Sequence, residues 1–160
     1  MRFVLTEDDW SGLVLRVALG AVMLPHGAQK LLGWFGGAGF SGTVEAFADK
    51  LQIPPVLTLL VILSESFGSL GLIIGFLTRV GALGVLCVMT GAVVLVHWPH
   101  GFFMNWYGNQ AAEGFEFHVL AIGMSLAILI IGGGRWSVDR AITRSFLGYR
   151  RRKSTLVMRF

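Results

Sequence analysis

Four long apolar stretches constrain this 160-residue chain more than any other feature: Leu13 to Leu32, Pro55 to Leu77, Val80 to Val96 and Phe117 to Ile131. A helix needs about 20 mostly apolar residues to cross the hydrocarbon core of a bilayer. In lipid each backbone polar group must find its partner within the structure, which favours helices over open strands. The spacing therefore predicts an all-α integral membrane protein, a four-helix transmembrane bundle over residues 1–134 with spans at about 13–32, 55–77, 80–96 and 115–134, followed by a basic tail over residues 135–160. The fourth stretch is short, so its span is extended at both ends. The composition agrees: 54% of residues are hydrophobic and 14% charged, against about 25% charged in soluble domains. Such a chain is too apolar to be disordered. Cys87 is the single cysteine, which excludes a disulfide framework, a CxxC redox pair and a thiolate zinc site. Glu7, Asp8 and Asp9 precede the first stretch where a cleaved leader would carry basic residues, and it is not succeeded by a small-x-small site, so it is read as a span.

An even number of spans places both termini on one side. Arg2, Arg79, Arg135, Arg140, Arg144, Arg150, Arg151, Arg152, Lys153 and Arg159 fall on that side, and Lys30 and Lys50 on the other. Basic residues concentrate on the cytoplasmic side of membrane proteins, so both termini are expected in the cytoplasm. The net charge of +4 arises from the tail beside a span, which points to anionic lipid and not to nucleic acid. Trp136, Val138, Ile142, Phe146, Leu147 and Tyr149, interleaved with Arg140 and Arg144, suggest a short amphipathic C-terminal helix on that surface. In the second span, Gly68, Gly71 and Gly75 read as a small-residue face for close helix packing.

The polar residues inside the spans are the candidates for function. Glu65 is the strongest: a carboxylate about 15 Å into its span costs at least about 2.5 kcal/mol to insert. Helical spacing surrounds it with Thr58, Val61, Gly68, Ser69 and Leu72, so it is expected to face the bundle. A purely structural hydrogen bond between helices has equal weight. In the first span Pro25 is expected to kink the helix, and His26 and Lys30 share a face at i, i+4. His26 is placed to pair with Glu65, whereas Lys30 and Arg16 are read as snorkelling to the interfaces. The segment before the fourth span holds His97, His100, Glu113, Glu116 and His118 among aromatics of an interfacial belt. Histidines and carboxylates in such a setting can bind a metal, though no tight ligand motif is present; can ligate haem, with His26 and His97 the one pairing considered; or can hydrogen-bond a quinone and move its protons. Neither haem nor metal is expected.

Taken in order, Arg16-x-x-x-Gly20, His26-Gly27-x-Gln29-Lys30-Leu31, Gly33 with Gly36-Gly37, Glu65 with Gly68, Gly75-Phe76-Leu77-Thr78-Arg79, His97 to Phe103, Glu116 and Gly134 to Asp139 resemble the DoxX family of small bacterial inner-membrane proteins. The resemblance runs over nearly the whole bundle. It implies a four-helix membrane bundle and a link to redox chemistry, through a thiosulfate:quinone oxidoreductase subunit and a mycobacterial membrane complex containing a superoxide dismutase and a sulfurtransferase. It marks His26, Gln29, Lys30, Glu65 and His97 as family-typical polar residues.

These readings converge on a membrane subunit of a quinone-linked oxidoreductase or redox-stress complex. A quinone-type or small ligand is expected in the outer half of the bundle, bound by His26, Gln29, Lys30, Glu65 and His97, with Glu65 and His26 handling protons. No stand-alone catalytic motif is present. The alternatives are a non-catalytic membrane anchor for a soluble redox enzyme and a small oligomeric transporter. The expected partners are the bilayer, a soluble redox enzyme and a second copy of the chain.

Overall fold

The structure, a computed structural model, describes residues 9–145. Asp9 opens the first helix, α1 (Trp10–Leu32), by accepting the Gly12 N–H at its N-cap. Hydrogen bonds from Ser11 hold the Asp9 carboxyl below the usual carboxylate range. Helix α1 ends where Gly33 turns left-handed, its N–H reaching the Ala28 carbonyl. Next comes a short amphipathic helix outside the four apolar stretches, α2 (Gly39–Leu51). Pro54 and Pro55 then start α3 (Pro55–Ile74), where a missing N–H costs nothing at the first turn. Helix α4 (Thr78–His100) and the shorter apolar α5 (Glu116–Ile131) complete the spans. Gly132, at φ 83°, stops α5. Residues 138–145 are helical and form α6.

Helix α1 packs on α3, α3 on α4, α4 on α5, and α5 back on α1, closing a square bundle. Its core is Leu19, Met23, Leu72, Ala82, Val85, Met89, Ala121 and Ile128. The outward positions, among them Val14, Val22, Leu59, Leu83, Leu120 and Ile130, are exposed apolar side chains, as a bundle solvated by lipid requires. Three helices are long and apolar enough to cross a membrane, and α5 is the shorter fourth.

Two glycine pairings set the helix distances. A Cβ on Gly81 would stand 2.8 Å from the Gly68 carbonyl, and one on Gly27 would collide with the Glu65 backbone. The expected Gly71-x-x-x-Gly75 packing face is corrected here. Gly75 is left-handed at φ 74° and ends α3, while Gly71 gives way to the Phe76 carbonyl, so both shape a turn and not a helix crossing.

The expectation that Arg16 snorkels is also corrected. It is 1% exposed and its guanidinium is held by five carbonyls. Nε donates to Gly133 at 2.8 Å, Nη1 to Leu72 at 3.0 Å and to Ile73, and Nη2 to Arg135 at 3.1 Å and Trp136 at 3.0 Å. Leu72 and Ile73 belong to the last turn of α3, and Gly133, Arg135 and Trp136 to the connection between α5 and α6, so the arginine ties the end of α3 to the segment that follows α5. Beside it Asp139 accepts from Leu77 N, Thr78 N and Thr78 Oγ1 at 2.8, 2.8 and 2.6 Å. This knot closes the end of the bundle that carries the chain termini.

In α6 the polar Asp139 and Thr143 are buried while Val138 and Ile142 face outward. That arrangement suits a helix resting on a membrane surface. Trp136 precedes it and packs edge-on against Trp10, with ring centroids 5.3 Å apart. Arg2 and the residues beyond 145, including Phe146, Leu147 and Tyr149 of the amphipathic reading, lie outside the described residues.

Candidate functional site

The other end of the bundle, bounded by α2 and the segment before α5, encloses a cavity of about 840 Å³. Its walls are mostly apolar side chains of α2, α3 and α4, and its polar lining comes from Lys30, Lys50, Ser64, Glu65, His26, His97, His118 and Glu113. Of the ligand-binding candidates His26, Gln29, Lys30, Glu65 and His97, the structure brings all but Gln29 to this cavity. Gln29 donates Nε2 to the Phe35 carbonyl at 3.3 Å, bracing the turn after α1.

Glu65 reaches the cavity through a local change in helix geometry. Residues Ser64–Gly68 form a π turn within α3, which inserts one residue into the turn and rotates the remainder of the helix. The neighbouring α1 approaches most closely at Gly27, over the Glu65 carbonyl. His97 is delivered in the same way, from the π turn Val93–His97 in α4. Such turns recur at functional positions because they re-aim a side chain without ending the helix.

Lys30 Nζ stands 2.5 Å from Glu65 Oε2. Oε2 gains no aligned hydrogen bond from it, so the contact is an ion pair with an acceptor still free. This corrects the snorkelling reading of Lys30: its side chain is 23% exposed and Glu65 only 3%. His26, the expected partner of Glu65, lies on the cavity wall with its ring centroid 6.1 Å from that of Phe117.

His97 and His118 lie face to face, centroids 4.1 Å apart and planes tilted by 40°. His97 Nδ1 is 2.9 Å from the Glu113 carbonyl, which leaves its ring committed to the cavity roof. His118, which by residue type alone reads as one more interfacial histidine, is 6% exposed, and its buried Nδ1 has no protein partner. A buried imidazole nitrogen without a partner is an opening for a ligand or water. Among the described residues no three of His, Cys, Asp or Glu converge in a manner that would hold a metal ion.

Glu113 and Glu116 organise the segment over the cavity. Glu113 Oε2 accepts from Asn105 N at 2.6 Å. Glu116 Oε1 accepts from Met104 N at 3.1 Å and from Trp106 Nε1 at 2.7 Å. Gly114 packs directly against the carbonyls of Gly101, Phe102 and Phe103, so the segment folds back on itself as a roof.

Residues 12–98, which include nearly all of α1, the whole of α2 and α3 and nearly all of α4, match the DoxX family model. The chain belongs to the DoxX family. It is also similar to the inner membrane protein YqjF of Escherichia coli (strain K12), with 29% identity over 144 residues, covering 87% of this chain and 97% of that protein. No solved structure matches it. With its apolar helices, the chain is thus a DoxX-family membrane protein with an inner-membrane relative. The matched region holds His26, Lys30, Glu65 and His97, whereas His118 lies beyond it.

Proposed function

We propose that the cavity binds a quinone-type headgroup and that the protein serves as the membrane subunit of a quinone-linked redox system. The observation that carries this reading is a mostly apolar chamber ending in a buried ion pair, Lys30–Glu65, and an unpartnered imidazole nitrogen on His118. Its volume falls within the about 300–1,000 Å³ of small-molecule sites, which combine apolar walls with a few polar groups. A quinone matches that division: an apolar ring and substituents with two polar oxygens.

When bound, a quinone supplies two-electron, two-proton redox chemistry. Lys30 would donate a hydrogen bond to one quinone oxygen, and Glu65 Oε2, an acceptor beside that ammonium, would take the proton of the quinol hydroxyl there when the quinol is oxidised. His118 Nδ1 would face the ring, and the roof would exclude water. Gln29 does not line the cavity but stands behind His26, which does. A soluble redox enzyme is the proposed electron partner.

The orientation belongs to the same reading. Arg79, Arg135, Arg140 and Arg144 gather at the end closed by the Arg16 knot, with Lys30 and Lys50 at the other, so the terminal end is cytoplasmic and the cavity lies in the outer half of the bilayer.

The test is equilibrium binding of a tailless dimethoxybenzoquinone to the purified protein in detergent. Loss of one hydrogen bond to a charged group amounts to about 1.5–3 kcal/mol, so Lys30→Met, which removes the ammonium donor, is expected to weaken binding by about tenfold or more. Equal affinity in the two proteins contradicts the reading and favours an anchor without a ligand site.

A further inference from the structure

The cavity is not closed toward the lipid. Beside Glu65, α3 and α4 are pressed together: a Cβ on Gly84 would stand 2.7 Å from Ser64 Oγ, and Gly68 faces Gly81. Toward the α2 end the same two helices make little contact. There Leu57 and Leu60 of α3 and Cys87 and Leu95 of α4 line the cavity and are exposed. Gly91 lies one helical turn from Cys87 and one from Leu95, on the same face; it also lines the cavity, and a Cβ there would meet no atom within 4 Å. An apolar cleft thus runs from the lipid-facing surface to the Lys30–Glu65 pair. At the α2 end, by contrast, the way in is covered by the roof segment, with Met104 and Glu113 against the cavity.

We propose that the ligand is a long-tailed membrane amphiphile that enters sideways between α3 and α4, its hydrocarbon tail lying in the cleft past Gly91 and its polar ring against Lys30, Glu65 and His118. The inference rests on the quinone reading and adds the tail, the route and Gly91 as the residue that sets both. The match is one of polarity along the cleft: apolar side chains of α3 and α4 at the mouth, and Lys30, Glu65 and His118 where it ends. A water-soluble ligand would have to cross lipid to reach an apolar mouth. A tail leaving the bilayer for the cleft gains little from the hydrophobic effect, since lipid is as apolar as leucine. The selection is therefore by shape, and the width at Gly91 sets it.

The experiment uses the full chain in nanodiscs of phosphatidylcholine and phosphatidylglycerol and measures binding of a radiolabelled prenylated benzoquinone and of the same ring without a tail. Gly91→Phe fills the mouth where no atom stands in the way, so the protein keeps its fold. It is expected to weaken the prenylated ligand by about tenfold or more and the tailless one by less than about threefold. Gly123→Phe is the control, because Gly123 is also open, lies on α5 and does not line the cavity; it should leave both affinities unchanged. An equal effect of Gly91→Phe on both ligands, or none on either, overturns the lateral route while leaving the quinone reading in place. Displacement of the prenylated ligand by added phosphatidylglycerol as readily as by unlabelled quinone also overturns it, since the cleft would then be a general lipid groove. Failure of the unmodified protein to bind either ring overturns the quinone reading and this inference with it.

Discussion

Arg16→Ala is expected to destabilise the protein more than any other single substitution in the bundle. The carbonyls of Ile73, at the end of α3, and of Gly133, Arg135 and Trp136, after α5, would lose the guanidinium as donor, while Leu72 keeps the Gly75 N–H, and each buried unsatisfied polar group costs about 1–3 kcal/mol. Asp139, whose charge lies close enough to act on Arg16, would lose its counter-charge. Relaxation and water entry at the bundle end recover part of this, so the net loss is put at above about 3 kcal/mol. Arg16→Lys should rescue little, because an ammonium has three donors on a flexible stem where the guanidinium has five in a rigid fork. Thermal unfolding of the purified protein in detergent measures both. A melting temperature for Arg16→Lys equal to that of the unmodified protein would mean that charge alone, and not the fork, closes this end.

The second large effect concerns the Lys30–Glu65 pair. Removing either partner leaves the other charge in a cavity that is mostly apolar, at a cost of about 3 kcal/mol, the low end for broken buried pairs because Lys30 is partly exposed. Removing both leaves neither charge stranded. Lys30→Ala and Glu65→Ala should therefore each be more destabilising than the double variant, and the interaction term of the double-mutant cycle should exceed about 1 kcal/mol. Strict additivity in the unfolding free energies would show that the two charges do not depend on each other. The same cycle separates a binding role from a structural one: if the pair serves only the fold, the double variant recovers everything, whereas a ligand site stays empty in it.

Much of this architecture is legible in the chain. Hydropathy alone locates the four apolar helices of the bundle, three of them long enough to cross a membrane, and Glu65 and His97 stand out because polar groups inside an apolar helix are costly. Helix α2 carries a fainter signal beside those stretches: Phe40, Val44, Phe47 and Leu51 recur at helical spacing, with Glu45, Asp49 and Lys50 between them. Two features have no such signal. The π turn at Ser64–Gly68 depends on how closely Gly27 of another helix approaches, and the role of Arg16 depends on carbonyls more than fifty residues away in sequence. Charge near a span end reads as snorkelling whenever the partner is backbone, because carbonyls leave no trace in residue types. His118 is undervalued by its sequence context for the same reason, as its distinction lies in a nitrogen that the fold leaves without a partner.

A quinone ring held against Lys30, Glu65 and His118 would be within reach of photolabelling. An azido-substituted benzoquinone, illuminated with the protein in native membranes and mapped by peptide mass spectrometry, is predicted to modify the peptides carrying Glu65, His97 and His118. That labelling should be suppressed by excess unlabelled quinone and be weak in Lys30→Met. Labelling confined to outward positions such as Val14 and Ile130, or labelling of the cavity peptides that excess quinone leaves undiminished, would contradict the account.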